Sequence, residues 1–221
     1  SSGICSNRRR EPSLWEHIKF SESLNHLHVS IHGPSDESKD TDYLPKSEDN
    51  HELSPLWEAI KRSKSLSSLS VYMYCHADEQ ENNEDSGTTR QRVEAMSAMK
   101  SLSESLKGHP SIRKLKLKYR RDAHQKTLLV PHVTNILESS NLDEFKLDRF
   151  AFYVEVEQLI FPMNVFIDSL LKGRANQLEV LGLCNIGLKD FQANELLRHL
   201  PDTISVLDLS RNSVADFPTT T

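Results

Sequence analysis

The sequence predicts an α/β solenoid of about six strand-plus-helix units, with the strands in one parallel sheet along an inner curve and the helices outside. Three observations predict it. One block of the chain is duplicated without a gap. The second half of that block recurs to the end of the chain. The third of the recurring strands alternates lysine with leucine, so it has one wet face.

The duplication comes first in the chain. Residues 14–29 and 56–71, offset by 42, share ten of sixteen positions: Leu14/Leu56, Trp15/Trp57, Glu16/Glu58, Ile18/Ile60, Lys19/Lys61, Ser21/Ser63, Ser23/Ser65, Leu24/Leu66, Leu27/Leu69 and Val29/Val71. Each copy opens as a short helix, with apolar residues at Leu14, Trp15 and Ile18 and again at Leu56, Trp57 and Ile60. Ser54-Pro55 is a helix start, because a hydroxyl caps free N–H groups and proline has none to leave bare. Recurrence of the tryptophans marks them as core packing. Each copy closes as L-x-x-L-x-V, whose last positions alternate as a strand does.

That closing pattern returns four times. Ile112-x-x-Leu115-x-Leu117 follows a helical stretch around 93–106 and the break Gly108-His109-Pro110. Leu142-x-x-Phe145-x-Leu147 follows a helical segment around 133–137. Leu178-x-x-Leu181-x-Leu183 follows 159–171, and Ile204-x-x-Leu207-x-Leu209 follows 191–200. A doubly wound sheet is the competing architecture, but its strands are buried on both faces. Here Lys114, Lys116 and Lys118 alternate with Leu115 and Leu117.

The equivalent residues Leu27, Leu69, Leu115, Phe145, Leu181 and Leu207 are 42, 46, 30, 36 and 26 apart. The two longest intervals hold acidic runs: seven acids in 36–52 and five in 78–85. Both are read as flexible acidic insertions, 33–52 and 77–90, emerging after the first two strands of a single domain spanning 1–221.

The last two units carry a family resemblance. Ile204-Ser-Val-Leu207-Asp-Leu209-Ser-Arg-Asn212-Ser-Val214 is similar to the leucine-rich-repeat pattern L-x-x-L-x-L-x-x-N-x-L, and 178–188 matches except that Ile186 stands at the asparagine. The chain resembles the ribonuclease-inhibitor-like subclass of that superfamily over nearly its whole length. The resemblance implies a horseshoe with a concave parallel sheet and convex helices. It also implies that Asn212 hydrogen-bonds within the loop after its strand, while turns lacking the asparagine are irregular. The function it implies is a protein-recognition scaffold: a sensor arm of an innate immune receptor, a ubiquitin-ligase adaptor, or an effector of an intracellular bacterial pathogen. The run Leu200-Pro201-Asp202-Thr203-Ile204 resembles the last of these. A small-GTPase regulator of the leucine-rich-repeat GTPase-activating type is the alternative.

Strand alternation selects the side chains facing the inner curve: the third, fifth and seventh positions of each L-x-x-L-x-L-x. They are His26, His28 and Ser30; Ser68, Ser70 and Tyr72; Lys114, Lys116 and Lys118; Glu144, Lys146 and Asp148; Val180, Gly182 and Cys184; and Val206, Asp208 and Ser210. From these, His28, Ser70, Tyr72, Lys114, Lys116, Lys118, Glu144, Lys146, Asp148 and Asp208 are the expected partner-binding residues. Lateral Glu144–Lys114 and Asp148–Lys118 pairs would offset the repulsion of the lysine column. A protein partner with an acidic surface is expected there.

Other chemistries find little footing. The net charge is −5, and the bases cluster in 107–126 without interleaved aromatics, so no nucleic-acid partner is expected. His26 and His28 share a strand face, but their neighbours Ser68 and Ser70 are poor ligands, so no metal or cofactor is expected. Cys184 has no histidine beside it, and no phosphate-cradling glycine loop, G-x-S-x-G or H-E-x-x-H occurs, so neither catalysis nor a small-molecule substrate is expected. Three scattered cysteines and no apolar span point to a reducing, cytoplasmic setting without membrane partners, in the cell itself or in a host. The absence of a capping helix after Asn212 reads as truncation.

Overall fold

A computed structural model describes residues 14–32, 54–74, 87–120, 130–149, 160–172 and 177–214. Helices and strands alternate strictly: α1 (Leu14–Phe20), β1 (His26–His32), α2 (Ser54–Arg62), β2 (Ser68–Tyr74), α3 (Gly87–Leu106), β3 (Lys114–Arg120), α4 (Val130–Ser139), β4 (Glu144–Asp148), α5 (Ile160–Lys172), β5 (Val180–Cys184), α6 (Asp190–Arg198) and β6 (Val206–Asp208). The six strands form one open parallel sheet in sequence order, and the register brings every equivalent leucine into line. This is the repeat-like α/β arrangement expected from the spacing.

Alternation along the strands decides what is buried. Leu69, Leu115, Phe145 and Leu181 form one closed row, and Val71, Leu117, Leu147 and Leu183 form the next. The helices cover these rows with Leu56, Trp57, Ile60, Met99, Leu102, Leu106, Val133, Ile136, Phe166, Leu170 and Leu196. Trp57 is buried as core, as its duplication implies, while the Trp15 side chain lies outside the described residues. Rows thin out at the ends, where Leu27, Ile31, Leu207 and Leu209 have a neighbour on one side and stay half-buried.

The units also repeat through their turns. Paired main-chain N–H groups of 67–68, 113–114, 143–144, 179–180 and 205–206 donate to the carbonyls of Asn25, Ser67, Arg113, Asp143 and Glu179, respectively. Serines make a second ladder. The Ser65 hydroxyl donates to the carbonyls of Ser21 and Leu24, and the Ser111 hydroxyl donates to those of Ser63 and Leu66. At the other end of the strands, Arg149, Asn185 and Arg211 follow β4, β5 and β6 with positive φ (59°, 52° and 61°). A left-handed residue at that place turns the chain sharply away from the strand.

Helix α3 begins at Gly87, so residues 87–90 belong to it and not to the expected insertion 77–90. The acidic run ends at Asp85, and Arg90-Gln91-Arg92 are good helix formers, so the helix extends two turns upstream of Val93. The insertion 33–52 and the rest of 77–90 lie outside the described residues, as do the turns directly after β1, β2 and β3.

Candidate partner-binding face

All ten side chains chosen from the sequence come from the face of the sheet that the helices leave open. Register places His28, Ser70, Lys116, Lys146, Gly182 and Asp208 in one row across the six strands. Tyr72, Lys118 and Asp148 lie in a second row with Ser30 and Cys184, and Lys114 and Glu144 in a third with His26, Ser68 and Val180. Six strands at about 4.8 Å spacing give a polar surface about 24 Å across.

Most of the charge on this surface is used internally. Glu144 bridges Lys146, at 2.5 Å, and Lys114, at 3.4 Å. Hydrogen bonding from Lys146 holds the Glu144 carboxyl below its ordinary range against the opposing effect of burial, and Lys114 adds to the lowering. Lys118 sits 3.5 Å from Asp148 and 5.2 Å from the centre of the Tyr72 ring. Both expected lateral pairs therefore form. Lys116 is different: among the described residues it has no carboxylate within ion-pair range, and its strand neighbours in the row are Ser70 and Lys146.

Beside it stands an aromatic pair. The rings of His28 and Tyr72 lie 4.3 Å apart at 40°, and His28 Nε2 is 3.2 Å from the Ser30 hydroxyl. The face is thus graded from an imidazole–phenol platform on β1 and β2, through a free lysine on β3, to a carboxylate-rich side on β4 to β6.

Gly182 explains how Lys146 lies. A Cβ at this position would approach Lys146 Cγ at 2.6 Å, so the lysine stem crosses the strand where a side chain is missing. Gly182→Ala is expected to push the stem aside and cost about 1–2 kcal/mol. A thermal melt in a Lys146→Ala background checks this, because the penalty should vanish there. A penalty of equal size in both backgrounds would place the strain elsewhere.

The chain matches no family model and no curated protein. Chemistry on the face must therefore be judged from its own residues. Burial pushes the Cys184 thiol up, and the carboxylates of Asp208 and Asp148 push the same way, so the group stays a thiol at neutral pH. Its Sγ lies 3.8 Å from the Asp208 main-chain carbonyl. No group of three or more histidine, cysteine or carboxylate side chains able to hold a metal occurs among the described residues. No described helix is long and apolar enough to cross a membrane.

Asn212 lies outside this face and joins its own loop to the preceding unit. Its Oδ1 accepts from the N–H groups of Ile186 (2.9 Å), Gly187 (3.1 Å) and Leu188 (3.2 Å). Its Nδ2 donates to the carbonyls of Leu183 (2.6 Å) and Leu209 (2.8 Å). Ile186, at the equivalent position one unit earlier, is buried. Sequence reasoning missed the serine ladder and buried His109. The serines were visible as repeated positions in the duplication, whereas nothing local marked His109.

Proposed function

We propose that this chain is a solenoid of the leucine-rich-repeat type that recognises a protein partner through its open sheet face and does not itself catalyse a reaction. One observation carries the reading. Parallel sheets are normally covered by helices on both faces, yet this one is covered on one and presents Ser, His, Tyr, Lys, Glu and Asp on the other. A solenoid uses such a surface for binding. The Asn212 network supports the repeat type, since it ties the turn after one strand to the turn after the strand before it.

The partner that suits the face carries acidic groups to meet Lys116 and the outer, exposed Lys114, and an apolar or cationic group to lie on the His28–Tyr72 platform. Reversing Lys118 would place a carboxylate against Asp148 and disturb the fold, so Lys116→Glu alone is the clean probe. Lys116→Glu is expected to weaken partner capture from cell lysate at least tenfold while shifting the melting temperature by no more than about 2 °C. Lys100→Glu, on the helix side, serves as the control. Equal capture by wild type and Lys116→Glu would remove the face from consideration. Faster phosphate release from a panel of small GTPases would replace a passive scaffold with the GTPase-regulator alternative.

A further inference from the structure

A second feature lies at the edge of the molecule where α1 and α2 end. A cleft of about 820 Å³ is formed between the two copies of the duplicated turn, with Pro110 closing one side. Lys19, Lys61, Arg62 and Lys64 line it against a single acid, Glu22. Arg62 pairs with Glu58, and the Lys19 ammonium lies 4.7 Å from the centre of the Phe20 ring. Lys61 and Lys64 are exposed and have no ion-pair partner among the described residues.

Basic residues at the end of a helix complement its dipole, and Lys19 and Lys61 occupy equivalent positions that do so in both copies. The copies then diverge. Where the first reads Lys19-Phe20-Ser21-Glu22, the second reads Lys61-Arg62-Ser63-Lys64, which adds two positive charges, Arg62 and Lys64, and drops the acid. That excess goes beyond what one helix end needs.

The serines diverge too. In the first copy the Ser21 hydroxyl accepts from the N–H groups of Ser23 (3.3 Å) and Leu24 (3.1 Å). Its counterpart Ser63 is 1% exposed, lines the cleft, and holds a buried hydroxyl with no hydrogen-bond partner among the described residues. A buried hydroxyl without a partner is destabilising, and an incoming acceptor would remove that cost.

The geometry points to a phosphate-binding site in this cleft, with Lys61 and Lys64 supplying charge, Ser63 donating a hydrogen bond, and Phe20 at the rim against the rest of the ligand. A phosphomonoester carries close to two negative charges and three acceptor oxygens, which matches two free ammonium groups and a spare hydroxyl better than a single carboxylate does. Phe20 is 68% exposed, and the cleft has the volume of a small-molecule site. The same chemistry serves a soluble phosphate compound or a phosphorylated lipid headgroup.

Isothermal titration with pyrophosphate and with inositol hexakisphosphate tests it, alongside flotation on vesicles containing a phosphorylated inositol lipid. Saturable binding is expected, falling at least about tenfold in Lys61→Gln/Lys64→Gln and about threefold in Ser63→Ala. Lys116→Glu should leave it unchanged, so this site and the open-face reading fail separately. Vesicle binding that needs Phe20 as well as the lysines assigns a lipid headgroup. Soluble binding that Phe20→Ala leaves intact, without flotation, assigns a free phosphate compound. No saturable binding of any probe, or equal affinity in the Lys61/Lys64 variant, overturns the proposal.

Discussion

His109→Ala is expected to lower the melting temperature at neutral pH by roughly 6–12 °C and to reduce the protein's loss of stability in mild acid. The ring is buried in the turn before β3 and serves three main-chain groups. Its Nε2 donates to the Ile60 carbonyl at the end of α2 (2.9 Å), and its Nδ1 accepts from the N–H groups of Ser111 (3.3 Å) and Ile112 (3.1 Å). Only the neutral tautomer with the proton on Nε2 satisfies all three. Alanine takes the acceptor from the N–H groups of Ser111 and Ile112, leaves the Ile60 carbonyl with the Ser63 N–H, and opens a void, at about 3–4 kcal/mol in total.

The pH dependence has a definite sign. Burial lowers the His109 pKa from 6.5, and the hydrogen bond to Ile60 only partly opposes it. Below pH 6.5 the unfolded chain therefore binds a proton that the folded chain refuses. The neutral ring's contribution is complete above that pH and declines as the pH falls toward the depressed folded value, by at most about 1.4 kcal/mol per pH unit. Melts at pH 7.5 and 5.5 should differ less in His109→Ala than in wild type. A residual difference is expected from His132, whose pKa is also lowered, first by burial and then by Lys100. Identical pH differences in the two proteins would refute this account of His109.

The second large effect is at Asn212. Alanine removes five hydrogen bonds, four of them to the end of β5 and the turn after it, and a loss of about 3–5 kcal/mol from the last two units is expected. Solenoid stability is a sum of units and their interfaces, so the loss should be local. Amide exchange at Ile186, Gly187 and Leu188 is expected to accelerate, while exchange at Leu69 and Leu117 in the central strands stays slow. Asn212→Asp separates the two halves of the network. It keeps the acceptor for three N–H groups but turns an oxygen toward the carbonyls of Leu183 and Leu209. Its stability should fall near that of alanine at neutral pH. Protection of 186–188 unchanged in the alanine variant would show that buried Ile186 and Leu188 hold this turn without the amide.

Much of this architecture was legible because the signals are periodic. The ten matched positions of the duplication and the recurring L-x-x-L-x-L located every strand, and alternation assigned Lys114, Lys116 and Lys118 to the open face and Leu115 and Leu117 to the core. Helix ends were read less well. The start of α3 at Gly87 was hidden because the sequence from Gly87 to Arg92 lacks apolar periodicity, even though it favours helix locally. Ser63 was visible only as a match to Ser21, because an unpartnered hydroxyl and the extra charges of Arg62 and Lys64 show no period.

By itself, the sequence determined the unit count, the strand order and the face on which each strand residue lies, because a period of two leaves one choice once the leucines must be buried. Only the tertiary structure decided which charges remain available. Lys114, Lys146 and Lys118 are drawn to Glu144 and Asp148, Gly182 makes room for the Lys146 stem, and Lys116 has no carboxylate partner among the described residues. Ion pairing depends on distances between side chains of different strands, and those distances exist only after the register is set. The buried ring of His109 follows the same rule, since its partner Ile60 is 49 residues away in the chain.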